Sequence, residues 1–362
     1  MCRYLVSPAL EVSAPRRILS FEMPRPRPNG SATEFRARMR VLESRIATDR
    51  QGVHVQYRGK LAFLLLLISA AILRPQTPVT PSVNIRVDST LVLVPVTVTD
   101  ARHRYVLGLS QENFKVLEDG TEQKIKQFSG EDAPLSVGFI VDTSGSIGTK
   151  IDLCRQAVAQ FLKTMNTQDE AFLVTFSDHA QVRAPLTHDA EKITAPLMSV
   201  PSGGMTALFD GVFAGLHELE KAVNPRKTLV VISDGGDNNS AFSAKEVMEK
   251  ALADGVQIYA MGVFETFGPL GLSLEEQRGP HLLNSITEQT GGRVFAASRI
   301  DQLPEVASRI AVELRNQYLL AFTPANQTRD GSYRKLEVKL TQPEGMTGLV
   351  ARWRLGYYAP AQ

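Results

Sequence analysis

Sulfur and soft metal ligands are scarce in this chain. Its 362 residues include two cysteines, Cys2 and Cys154, each alone in its neighbourhood, so no internal disulfide framework is on offer. The six histidines are scattered and none has the H-E-x-x-H spacing of a zinc peptidase. His179 and His188 flank a strand and His217 lies in a helix, where polar surface roles are expected. There is no G-x-S-x-G elbow, which removes the serine-hydrolase reading. The pair Gly203-Gly204 is not followed by the Gly-Lys-Ser/Thr of a phosphate-binding loop. A strand-end aspartate can serve phosphoryl transfer, but that chemistry needs a second aspartate where Ser144 stands. No apolar run reaches the length of about 20 residues that spans a bilayer comfortably. A basic footprint is missing too. Residues 1–60 carry 12 Lys/Arg against 5 Asp/Glu, which leaves the rest of the chain at −5 and argues against nucleic-acid binding.

What apolar run there is has a specific form. Arg58-Gly59-Lys60 precedes thirteen apolar or small residues from Leu61 to Leu73, with Ser69-Ala70-Ala71 near their end. A positive flank, a short apolar stretch and small residues match a secretory signal. Residues 58–74 are therefore read as a signal peptide or a retained membrane anchor, and 75–82 as a linker. The protein is expected to be exported to the periplasm, cell envelope or extracellular space. Residues 1–57, rich in Arg and Pro, read as a disordered extension or as sequence upstream of a true start near Val53 or Val55.

Beyond the linker the pattern alternates with a period of two. Val83–Val87 and Leu91–Thr99 read as strands, and Pro95 marks an edge or a bulge. Phe114–Phe128 reads as a hairpin turning at Asp119-Gly120, so 83–131 is a β-rich segment. From residue 132 to 315 strands alternate with helices. Apolar runs at 135–141, 171–176, 227–233 and 256–263 are separated by helical periodicity at 153–165, 207–223, 244–253 and 281–289. That order predicts βαβ units and a mostly parallel, doubly wound α/β sheet. Residues 316–360 return to strands (317–323, 333–340, 349–358) and are expected to pack with 83–131 as a small β-sandwich flanking the α/β unit.

Three loops of the α/β unit carry hard oxygen donors. Asp142, Ser144 and Ser146 follow a buried strand, Thr206 opens a helix after Gly203-Gly204, and Asp234 ends a second buried strand. Ligands of open parallel sheets gather at the carboxyl ends of strands, so these residues are expected to converge. Mg²⁺ takes six oxygens at about 2.0–2.1 Å, and this set leaves room in its shell. Asp210, one helical turn past Thr206, and Asp237 stand close enough in sequence to lie behind the ligands. For Asp237 a capping or turn role is the stronger expectation.

The D-x-S-x-S, Thr, Asp pattern resembles the metal-ion-dependent adhesion site of von Willebrand factor A domains, and Asp142, Ser144, Ser146, Thr206 and Asp234 match its five positions. The resemblance covers roughly 132–315. It implies a bound Mg²⁺ (or Mn²⁺ or Ca²⁺) whose remaining position accepts a Glu or Asp of a protein partner, with no catalysis. The segments 109–120 and 354–360 are similar to an acidobacterial-type subgroup of such proteins. Two other readings stay open, a metal-dependent hydrolase and a purely structural envelope-assembly module.

Overall fold

A computed structural model describes residues 91–263, 274–297 and 300–361. The expected extension, leader and linker, and the strand at 83–87, lie outside those residues. The described chain opens with β1 (Val92–Thr99), β2 (Phe114–Glu118), β3 (Thr121–Gln123) and β4 (Ile125–Ser129). Asp119 and Gly120 both have positive φ, 48° and 83°, the signature of a two-residue hairpin loop whose twist matches its strands. The second arm was expected to run unbroken to Phe128. Instead it breaks at Lys124, so that β3 pairs with β2 while β4 joins another sheet.

The α/β part follows as β5 (Leu135–Asp142), α1 (Ile151–Leu162), β6 (Glu170–Phe176), β7 (Ala180–Thr187), α2 (Ala190–Met198) and α3 (Leu208–Leu219). It continues with β8 (Arg226–Ser233), α4 (Ala244–Asp254), β9 (Gln257–Gly262), α5 (Leu274–Gln289), β10 (Val294–Ala296) and α6 (Leu303–Arg315). Six strands line up as β10-β9-β8-β5-β6-β7. All neighbours are parallel except β6 and β7. Every residue of β5 is buried because helices cover both faces of the sheet, which is why its sequence is apolar without alternation. Val137, Phe139 and Val141 face α1, α2 and α6, whereas Ile140 faces α3, α4 and α5. Burial of each such side chain is worth about 1.5–3 kcal/mol.

Strands β11 (Gln317–Phe322), β12 (Tyr333–Leu340), β13 (Val350–Arg352) and β14 (Gly356–Tyr358) complete the chain. They interleave with the first four as two antiparallel sheets, β13-β1-β11-β4 and β14-β12-β2-β3. Their shared core runs from Val94, Val96 and Phe114 to Tyr318, Leu320, Phe322 and Leu336. Both flanks of the α/β unit thus build one β-rich body. Pro95 pairs with Leu319 on one side, while β13 reaches only Thr97–Thr99 on the other, so the proline sits where β1 is locally an edge. The last alternating run, expected as one strand over 349–358, is divided at Trp353–Leu355 between the two sheets.

A buried polar joint ties the two parts together. Glu313 of α6, fully buried, accepts hydrogen bonds from the Tyr259 hydroxyl of β9 (3.2 Å), the Tyr105 hydroxyl (3.2 Å) and the Arg293 guanidinium. Gln317 of β11 donates to Tyr259 Oη (3.1 Å) and to Thr97 Oγ1 (3.3 Å).

Candidate metal centre

The order of the strands places the site. From β5 the chain crosses to β6 on one side and later to β8 on the other, so the sheet reverses direction between β5 and β8. At such a switch point the flanking loops part and leave a crevice beyond the strand ends. Asp142 is the last residue of β5, and Asp234 directly follows β8.

Asp142 is wholly buried. Its Oδ1 accepts the Ser144 amide at 2.9 Å, and its Oδ2 accepts the Ser233 hydroxyl at 2.8 Å. The first bond curls the chain after β5, and that curl brings the Ser144 and Ser146 hydroxyls to 3.0 Å from each other. The second loop lies alongside. The Gly145 amide donates to Gly204 O at 3.1 Å and the Gly203 amide to Thr143 O at 2.8 Å. Thr206, also buried, donates its amide to Asn238 Oδ1 (2.9 Å), and its carbonyl accepts the amides of Asn238 and Asn239 (2.9 and 3.1 Å). Asp234 Oδ1 accepts the Gly236 amide at 3.0 Å. The three expected loops are therefore laced into one surface.

The structure also assigns contacts to the two outlying carboxylates. Asp210, buried in the first turn of α3, accepts the amides of Ala241 (2.8 Å) and Phe242 (3.1 Å) at Oδ1. Asp237 accepts the Ser240 hydroxyl (2.5 Å) and the Phe209 amide (3.4 Å), at the start of α3. Both brace the loop behind Asp234. Burial is the main cause that raises each of their pKa values.

Burial, and after it the charge of Asp234, pushes the Asp142 carboxyl up to about 7, although hydrogen bonds from Ser144 and Ser233 act in the opposite direction. Two buried carboxylates near enough to feel each other's charge repel, and a divalent cation held by both would turn that penalty into attraction. The donor set of two carboxylates and three hydroxyls suits a hard cation such as Mg²⁺, Mn²⁺ or Ca²⁺. Among the described residues, no three His, Cys, Asp or Glu side chains gather as a metal cluster. The residues present fit a hard divalent ion.

Sequence reasoning missed two contributors. Asp178, in the turn after β6, accepts the Met205 amide at Oδ1 (2.7 Å); in sequence it is an ordinary turn residue with nothing to set it apart. Gly279 of α5 lies so close to the third loop that a Cβ there would stand 2.3 Å from Asp234 O. In sequence Gly279 lies before the helical periodicity of 281–289, and only the structure, where the helix starts at Leu274, shows that it packs against the loop.

The family model of the von Willebrand factor type A domain matches residues 136–309. Among curated proteins, a "UPF0353 protein" of Mycolicibacterium paratuberculosis is 24% identical over 196 residues, 48% of this chain and 58% of that one. Inter-alpha-trypsin inhibitor heavy chain H4 of Sus scrofa is 28% identical over 131 residues, 32% of this chain and 14% of that one. The chain thus spans little more than half the length of the first and a small part of the second. Among solved structures, a von Willebrand factor type A protein from Catenulispora acidiphila aligns with TM-score 0.44 at 12% identity, covering 76% of this chain and 75% of that one. Proximal thread matrix protein 1 from the mussel byssus, in a form with a zinc-occupied MIDAS motif, aligns with TM-score 0.42 at 20% identity over 54% of this chain and 49% of that one. The matched span begins inside β5, ends inside α6 and encloses all three loops described above. Residues 136–309 are thus a von Willebrand factor type A domain.

Proposed function

We propose that this protein is a metal-dependent protein-binding module without catalytic activity, in which Asp142, Ser144, Ser146, Thr206 and Asp234 hold a Mg²⁺ ion, with Mn²⁺ or Ca²⁺ as substitutes. The observation that carries the reading is the buried Asp142 at the switch point of the sheet, repelled by Asp234 and held by the Ser144 amide and the Ser233 hydroxyl, with the Ser144 and Ser146 hydroxyls paired in the loop that follows. Bound there, the ion would supply a Lewis-acid anchor for a carboxylate of a partner. With only two carboxylates among five donors, the ion keeps a net positive field, which favours a Glu or Asp side chain over a neutral ligand. Around that point the chain presents Gly145 and the Ser202–Met205 loop, all exposed, so an extended acidic segment of a partner could approach without displacing a helix.

The reading includes export. Residues 61–73 act as a signal or anchor, and the β-rich body stands between that segment and the metal centre in sequence. Among the described residues no helix is long and apolar enough to cross a membrane.

Affinity capture from an envelope extract tests the class of function. The purified protein should retain a partner in Mg²⁺ and release it in chelator, and Asp142→Ala should capture nothing. Capture that is equal with and without metal would remove the proposal.

A further inference from the structure

Asp178 sits in the turn Ser177–His179 that joins β6 to the antiparallel β7, a fourth loop at the same end of the sheet as the three that carry the candidate ligands. We propose that Asp178 is a positioning residue for the metal centre, holding the 202–206 loop so that Thr206 faces the ion; this rests on the metal-binding reading above.

Thr206 belongs to a stretch, 199–207, that has no helix or strand to fix it. It is bracketed by bonds from the β6–β7 turn. On one side the Met205 amide donates to Asp178 Oδ1 at 2.7 Å, and on the other the Ala207 amide donates to Ser177 O at 2.9 Å. The same residue reaches the third loop, because Asn239 Nδ2 donates to the Asp178 carbonyl at 2.7 Å. Asn238 in turn accepts the Thr206 amide. Asp178 therefore links the Thr206 loop to the loop of Asp234 and is the side chain on which the Gly204-Met205 segment rests.

The fit is made by a missing side chain. Gly204 has φ +86°, and a Cβ built on it would lie 2.8 Å from both carboxylate oxygens of Asp178. Only glycine lets the carboxylate approach the chain at this point. Asp178 is itself exposed, so its ordering owes nothing to core packing. An exposed carboxylate loses rotamer freedom when it is held, and here the gain is one hydrogen bond to a loop amide.

Position and charge make different predictions. Asp178→Asn keeps an oxygen acceptor at Oδ1 and loses the charge, whereas Asp178→Ala loses both. On the full chain, Mg²⁺ affinity is measured by titration calorimetry, and amide hydrogen exchange across 202–206 is followed in chelator. Loss of one such bond in Asp178→Ala should weaken Mg²⁺ by about tenfold and speed exchange at Met205 and Thr206 by about tenfold. Asp178→Asn should stay within about threefold of wild type in both. The thermal midpoint in chelator should fall by only a few degrees in Asp178→Ala, as the loss of one hydrogen bond implies, and by less in Asp178→Asn. Wild-type exchange and affinity in Asp178→Ala would overturn the assignment. An Asp178→Asn protein as impaired as Asp178→Ala would also overturn it, since the residue would then act through its charge. If wild type binds no Mg²⁺, the metal reading falls, and exchange in chelator still decides whether Asp178 holds the loop.

Discussion

Ser233 donates its hydroxyl to Asp142 Oδ2 at 2.8 Å, so the ends of the two central strands on either side of the switch point are joined through the carboxylate proposed to bind metal. That bond and the Ser144 amide hold Asp142 in place while it remains buried against a second negative charge. Preorganisation of this kind stabilises the ion-bound form and strains the ion-free one.

One consequence is an inverted stability effect. In chelator, Asp142→Asn keeps the shape of the side chain and removes one of two like charges from a buried crevice. It should raise stability by about 1–2 kcal/mol, visible as a higher thermal midpoint than that of wild type. The same variant should show no further rise in Mg²⁺. A lower midpoint in chelator would contradict the account.

The contact between α5 and the third loop is steric. A Cβ at Gly279 would meet Asp234 O at 2.3 Å, and one at Gly235 would meet Gly279 O at 2.5 Å. Gly279→Ala should displace Asp234, weaken Mg²⁺ by about tenfold and cost on the order of 1–3 kcal/mol, as overpacking does. Calorimetry and urea unfolding report the two effects separately.

At the other end of the sheet, Glu313→Ala should be destabilising. It leaves the Arg293 guanidinium without its carboxylate and strips the Tyr259 and Tyr105 hydroxyls of an acceptor. Arg293 is partly exposed and can be hydrated, so the cost comes mainly from the buried tyrosine hydroxyl left without an acceptor and is about 1–3 kcal/mol. Denaturant titration of the variant should show that loss without a change in metal affinity relative to the folded fraction.

Alkaline pH should act on the same joint. Burial first, then the charge of Glu313, raises the Tyr105 phenol to about 12 and Tyr259 well above its usual range. Both stay neutral in the folded protein after an unfolded tyrosine, near pH 10, has ionised. Their contribution is therefore complete below pH 10 and is lost as the pH rises from there through 12. Arg354, lowered to about 10 by burial, works in the opposite sense over that range, so the comparison is between proteins. Wild type should lose more stability between pH 9 and 11 than a Tyr105→Phe, Tyr259→Phe double variant. Parallel pH profiles would rule out this role for the tyrosines.

Much of the frame was legible in the sequence because single residues carry strong local rules. The short, unbroken, β-branched apolar run ending at Asp142 reads as a strand buried on both faces, and Asp119-Gly120 reads as a tight turn. What local pattern could not convey was the division of one alternating run between two sheets. Lys124 and Trp353–Leu355 are corners defined by the strands they pack against, not by their own composition. The candidate ligands were readable because five oxygen-bearing residues fall at fixed places in three loops. Asp178 and Gly279 were not, since one is an ordinary turn carboxylate and the other a helical glycine whose meaning depends on a loop 44 residues earlier. Helix α2, with Pro196 inside it, also lacked a clear signal, as proline argues against a helix wherever tertiary packing is unknown.

The most direct test is Mg²⁺ titration calorimetry on the full chain beside Asp142→Ala and Asp234→Ala. A single saturable Mg²⁺ site in wild type, absent from both variants while each remains folded, is the predicted result. No saturable binding in wild type, or the same affinity in all three proteins, would contradict the assignment of these residues as a metal centre.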